Sequence, residues 1–317
     1  MSSHESDFRS VYERELVPIL TEMEVERKAI VQHMWKVAIP TVIATVGLGF
    51  LHLALSIVAI IVGGATYMLT GKKRRDAFHQ RFKTEVMPKV VACVNPGYSY
   101  EPSNGIQPGE YMESRLFKRS YDRYRSEDLV SGMVGETRVH FSEVHTEYKT
   151  ERRDKDGNKK TTWHTIFDGL FYVADFNKPF THPTYIYPDT MERMFGSWGR
   201  SLQKLTFSKE KLVTLEDPEF EKAFAVYGED QVQTRYILTP ALMQDLLEFK
   251  RSLGKNIYVS FVNKRMFLAF SVSGNLFEAS YFKNAVSFDR MKEYYRYLRV
   301  AEHMVEQLNL NTRIWGE

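Results

Sequence analysis

The residues with the most chemical potential lie in two neighbouring runs, Phe141-Ser142-Glu143-Val144-His145-Thr146-Glu147-Tyr148-Lys149 and Trp163-His164-Thr165-Ile166-Phe167-Asp168. Imidazoles and carboxylates brought together can hold a divalent cation that activates water for hydrolysis. Strand-like alternation over 138–150 and 161–174, with a polar turn at 154–158 between them, predicts a long β-hairpin. Side chains alternate between the two faces of a strand, and a one-residue slip exchanges them. If Val144, Thr146 and Tyr148 share a face with Trp163, Phe167 and Phe171, then His145 comes near Asp168, and Glu143, Glu147 and His164 fall on that same second face. Glu143, His145, His164 and Asp168 are thus the candidate metal ligands. Their spacing matches no metal motif, and Phe141, Ile166 and Leu170 interleave apolar groups among them. The sequence therefore assigns no metal, no cofactor and no catalytic residue.

Other signals are weaker. Asp154-Lys155-Asp156-Gly157-Asn158 has the look of a calcium loop, but its glycine comes too early and no glutamate stands at the twelfth position, so it reads as a solvated turn. Gly196 and Gly199 lack the strand-glycine-helix setting of a phosphate loop. In the segment 191–205, Met191, Met194, Phe195, Trp198, Leu202 and Leu205 trace one helical stripe, while Arg193, Arg200 and Lys204 lie elsewhere. Such a helix faces a core, lies in a membrane interface, or docks on a partner. Met194, Phe195, Trp198 and Leu202 are the candidate contacts for a lipid or protein ligand.

These groups must be positioned by a chain whose dominant feature is a 35-residue stretch, 37–71, free of Asp, Glu, Lys and Arg. About 20 apolar residues suffice to cross a bilayer core of roughly 30 Å. One straight helix of this length would run about 50 Å, whereas a reversal near Gly47, Gly49 and His52 gives two arms, 34–50 and 53–70, each long enough to cross. Arg27, Lys28 and Lys36 precede the stretch, Lys72, Lys73, Arg74 and Arg75 follow it, and the turn has no Lys or Arg. The excess of cations at both ends puts both termini of a multi-pass protein in the cytoplasm; the rival is a single span with Pro40 at its start. A single cysteine, Cys93, fits a reducing compartment, and a net charge of +3 argues against nucleic acid as a partner.

The remaining chain divides by composition. Residues 1–33 form an amphipathic helix that Pro18 should kink or divide, 34–71 the membrane hairpin, and 72–95 a juxtamembrane helix; the two flanking helices make a stalk or a homo-oligomeric coiled coil. Residues 96–115 read as a linker and 116–317 as a cytosolic domain, in one piece or as subdomains near 116–206 and 207–317. Asp217-Pro218 and Thr239-Pro240 open helices, 257–262 and 266–272 pair as strands, and a last helix begins after Ser287. The fold class is α+β, a transmembrane helical hairpin followed by a β-rich domain with a C-terminal helix.

Several runs carry a family likeness: Glu85-Val86-Met87-Pro88-Lys89-Val90, the run from Phe141 to Lys149, Phe167-Asp168-Gly169-Leu170-Phe171, Ala174-Asp175-Phe176-Asn177-Lys178, Leu215-Glu216-Asp217-Pro218-Glu219-Phe220, and Tyr236-Ile237-Leu238-Thr239-Pro240. With the paired-span anchor, the chain resembles a bacterial membrane-anchored family of unknown function (domain of unknown function 3137). The resemblance implies an inner-membrane protein with a cytosolic domain and supplies no mechanism. The expected role is non-enzymatic, a membrane-tethered module that binds a protein or lipid. The alternative is a membrane-associated, metal-dependent hydrolase on the polar hairpin face.

Overall fold

The computed structural model describes residues 3–117, 119–153, 157–176, 180–189, 211–272, 274, 276–308 and 310. The chain forms two compact units, Met1–Pro96 with Phe277–Tyr297, and Gly97–Leu276 with Leu298–Glu317. The fold class is α+β, two long apolar helices followed by an antiparallel β-rich domain and a C-terminal helix.

In the first unit the two long helices run continuously from Glu5 to Gly49 and from Leu53 to Val94. Pro18 does not divide the first. A π-helical turn, Tyr12–Leu16, immediately precedes Val17-Pro18, and its counterpart Phe82–Val86 precedes Met87-Pro88 in the second helix. Proline lacks the N–H of the regular ladder and its ring crowds the carbonyl four residues back; one wider turn relieves both faults without a break. Below the apolar stretch Leu16, Leu20 and Met23 of one helix and Phe82, Val86 and Val90 of the other are buried. Arg81 ties the pair, reaching Glu22 and Glu26 at 2.6 Å each and Glu85 at 2.9 Å.

The segment Phe277–Tyr297 belongs to this unit rather than to the β domain, which corrects the grouping of 116–317 as one body. Its aromatic residues supply the reason, because they need an apolar partner and find it here. Tyr295 stacks on Phe8 with ring centroids 4.3 Å apart, and Phe288 meets Tyr12 at 5.2 Å.

The reversal between the long helices falls at residues 50–52, where the His52 side chain accepts the backbone N–H of Ala54 at 3.2 Å and caps the second helix. A Cβ on Gly63 would stand 2.2 Å from the Thr41 side chain, so glycine lets the two helices close on each other. Outward-facing apolar side chains are left uncovered, among them Trp35, Ile43, Phe50, Ile61 and Leu69. Both helices are long and apolar enough to cross a membrane, and only 6% of each apolar window is buried.

The second unit is built on one nine-stranded antiparallel sheet: β1 (Ser99–Glu101), β2 (Arg123–Val134), β3 (Thr137–Arg153), β4 (Lys159–Asp175), β5 (Thr184–Pro188), β6 (Lys211–Leu212), β7 (Phe224–Gly228), β8 (Tyr258–Val262) and β9 (Arg265–Ser271). Their order is β1-β2-β3-β4-β9-β8-β5-β7-β6, so among the described residues strands from 116–206 and 207–317 interleave in one sheet. One face carries Val144, Phe167, Phe171, Tyr185 and Phe267. The stretch expected to be a linker, 96–115, covers it: Ile106 and Tyr111 are buried there, and the Tyr111 hydroxyl meets Thr146 Oγ1 at 3.0 Å. The other face carries Phe141, Tyr172 and Phe270 as a stacked row, and helix Val300–Gln307 packs on β2 and β3. Helix Pro240–Leu253 starts where Thr239 accepts the N–H of Leu242 and stops at Gly254, whose φ of 66° suits glycine.

Candidate functional site

The polar hairpin face takes shape from two irregularities in otherwise regular strands. β2 and β3 are joined by a two-residue turn with Gly135 at φ 59°, and they pair in register from Val134↔Thr137 to Val130↔Phe141. One extra residue then enters β2 between Glu127 and Val130, with Asp128 at φ 63°. Asp128 is buried and accepts the Tyr100 hydroxyl at 2.5 Å, and burial beside this carboxylate pushes the Tyr100 phenol well up. A second bulge lies in β4, where Ile166 is the extra residue between Thr146↔Phe167 and Glu147↔Thr165. The bulges fall on opposite sides of His145. Such irregularities re-aim side chains and cluster beside functional sites.

Between them Arg125, His145 and Asp168 stand in one row across β2, β3 and β4. His145 Nδ1 lies 3.1 Å from Asp168 Oδ1, and its Nε2 lies 3.6 Å from Glu147 Oε1. In the next row Glu127 faces Glu143. Together Arg125, Ser126, Glu127, Glu143, Val144, His145 and Asp168 line a cleft of about 160 Å³. Small-molecule pockets measure roughly 300–1,000 Å³, so this one takes a small polar group and not a whole metabolite. Asp168 is followed by Gly169, where a Cβ would stand 2.2 Å from the Phe270 carbonyl oxygen, so glycine permits β9 to approach.

Of the candidate ligands, Glu143, His145 and Asp168 line this cleft together. His164 does not. The Ile166 bulge turns it to the opposite face, where its ring stacks on Tyr148 at 4.8 Å and its Nε2 meets Thr150 Oγ1 at 2.9 Å. The same shift brings Trp163 out beside the charged face, under the Arg123 guanidinium at 3.4 Å. Among the described residues no group of three or more His, Cys, Asp or Glu side chains is arranged to hold a metal ion. The stripe with Met194, Phe195, Trp198 and Leu202 lies outside the described residues. Arg125 and Glu127 are the site residues the sequence reading missed. The Gly135-Glu136 turn signals the β2–β3 pairing, but without the bulge it would set Ser126 opposite His145.

A second polar cluster joins the covering helix Pro108–Glu113 to the sheet. Glu110 takes Arg265 at 2.8 Å and His140 at 3.1 Å, and Glu113 pairs with the same arginine. The His140 hydrogen bond, helped by Arg265, lowers the Glu110 carboxyl below its usual range. Its groups are spent on one another, which marks it as a structural brace.

No curated protein matches the chain. The crystal structure of the mycobacterial trehalose monomycolate transport factor A aligns with 69% of this chain and 94% of its own, at 9% identity and a TM-score of 0.31, a likeness too slight to carry an argument. Residues 165–310, from the second strand of the hairpin to the C-terminal helix, match the family described as "Protein of unknown function (DUF3137)".

Proposed function

We propose that this protein is a membrane-tethered binding module. The helices Val17–Gly49 and Leu53–Arg81 cross a bacterial inner membrane as a hairpin, both termini lie in the cytoplasm, and the β domain offers its ligand surface to a protein or lipid. The observation that carries the reading is the uncovered apolar surface of the two helices, with Ile43 66% and Leu69 82% exposed. An apolar surface this extensive marks a membrane or partner contact. The cations at the open end of the hairpin and their absence from its turn support the orientation. Tethering raises the local concentration of ligand groups at the bilayer, so weak affinity suffices.

The cleft suits a lipid headgroup fragment or a polar side chain of a protein partner. The hydrolase reading retains one observation, the His145–Asp168 contact at 3.1 Å. Photo-crosslinking in native membranes tests the module. A photoreactive residue at position 125 or 198 is expected to capture a defined lipid or protein, while one at the exposed control position Glu13 does not. Equal capture at all three positions would refute it.

A further inference from the structure

We propose that the loop 280–284 is a third membrane contact of the helical unit, with Phe282 seated in the headgroup layer and Lys283 beside anionic lipid phosphates. The proposal rests on the spanning reading of the two long helices. Tyr281 is held within this unit from several sides. Its hydroxyl donates to the Arg75 carbonyl at 3.4 Å, its ring lies 5.7 Å from Phe78 and 4.9 Å from His79, and its own carbonyl accepts from Arg27 at 2.6 Å. Four residues on, Ala285 donates its N–H to Glu24 at 2.8 Å. Between these two fixed points Phe282 is 76% exposed, and Lys283 and Asn284 are exposed beside it.

The height of the loop follows from the helix it is pinned to. Arg75 stands four residues beyond Gly71, the end of the uncharged stretch, or about 6 Å along the axis. The headgroup layer on each side of a bilayer is itself about 5–8 Å deep, so the Arg75 contact lies in that layer, while the Arg27 and Glu24 contacts lie further out, and the loop runs from the headgroups toward water with Phe282 next to its membrane-proximal end.

Its charge selects the lipid. Lys72, Lys73 and Arg74 are exposed in the same turn and Lys283 is exposed on the loop; of the nearby acids, Asp76 is exposed, Glu24 is engaged by Arg27, and Glu278 lies 3.9 Å from His79. Juxtamembrane cations draw anionic headgroups, and an aromatic ring beside them anchors at the membrane–water interface. The occupant is thus an anionic phospholipid surface. A chain segment far from the hairpin in sequence thereby gains its own hold on the bilayer.

The test uses the full chain with Cys93→Ser and a nitroxide on Phe282→Cys, reconstituted in phosphatidylcholine vesicles with and without phosphatidylglycerol. Collision with dissolved oxygen is compared with collision with a water-soluble nickel chelate. The oxygen-to-nickel ratio at 282 is expected to be several-fold above that of a label at Glu13→Cys, and to rise with phosphatidylglycerol. A ratio at 282 equal to that at 13 in both lipid mixtures overturns the proposal. A label at Ile61→Cys separates the two readings: lipid-like collisions there leave the spanning hairpin standing, and aqueous collisions there overturn both. Labelling Lys283→Cys repeats the measurement with Phe282 intact, so a local disturbance by the first label does not decide the result.

Discussion

Glu24 accepts the backbone N–H of Ala285 at 2.8 Å across 261 residues of sequence, and Arg27 grips both oxygens of the same carboxylate at 2.8 Å. The Arg27 hydrogen bonds are the chief cause that holds its pKa down to about 2, from an ordinary 4.5. A carboxylate that is more acidic when folded adds stability above its unfolded pKa and loses it as pH falls through the folded value. Protection of the amides at 281–285, taken relative to their intrinsic exchange rate at each pH, should therefore fall as pH drops from about 4.5 toward 2. Glu24→Gln should lower it at neutral pH, with about 1.5–3 kcal/mol lost from the local opening free energy. Exchange unchanged in that variant would remove the clasp.

Two glycines predict unequal costs. An alanine methyl at position 169 would meet the Phe270 carbonyl oxygen at 2.2 Å, and backbone within a sheet has nowhere to go. Gly169→Ala is expected to lower the unfolding free energy of the β domain by about 1–3 kcal/mol. At position 63 the same methyl meets Thr41 Cγ2 at 2.2 Å, Oγ1 at 2.3 Å and Cβ at 2.8 Å, which no rotamer of that side chain clears, so the two helices must part. A helix held against one neighbour can move more freely than a strand held between two, so Gly63→Ala should cost less, and denaturant titration of both variants ranks them.

The pair His145 and Asp168 should couple weakly. Their side chains are 33% and 44% exposed, and partly exposed pairs contribute below about 1 kcal/mol in double-mutant cycles. Equilibrium dialysis against zinc should show no stoichiometric uptake. One zinc per chain, abolished by His145→Ala, would instead bring the hydrolase reading to the front.

Cys93 reports topology slowly. Burial is the main cause that raises its thiol pKa, so little of the reactive thiolate is present at neutral pH. An impermeant maleimide should leave intact cells unlabelled. In permeabilised cells it should react more slowly than with a free thiol, and faster as pH rises. Prompt labelling of intact cells would reverse the proposed orientation.

Periodic features were legible in the sequence. The reversal near His52, the helix starts at Asp217-Pro218 and Thr239-Pro240, and the placing of His145 near Asp168 all follow from local chemistry that the structure keeps. What escaped was single-residue irregularity and distant pairing. Ile166 is an ordinary strand residue, and nothing in its neighbours marks it as the one without a partner, yet it moves His164 and Trp163 to opposite faces. Phe288, Met291 and Tyr295 announced an apolar face, but a face does not name its partner, and Tyr295 found Phe8 near the other end of the chain.

The interrupted first unit changes what a protease would achieve. The chain leaves that unit after Pro96, builds the sheet, returns for Phe277–Tyr297 and departs again. Severing the peptide near Pro96 would leave the sheet still roped to the helices through Phe277, with Tyr295 stacked on Phe8 and Lys292 paired with Glu5. Shedding this domain from the helical unit therefore takes three cuts, near Pro96, Phe277 and Tyr297, or one cut near Pro96 and the melting of an aromatic seam.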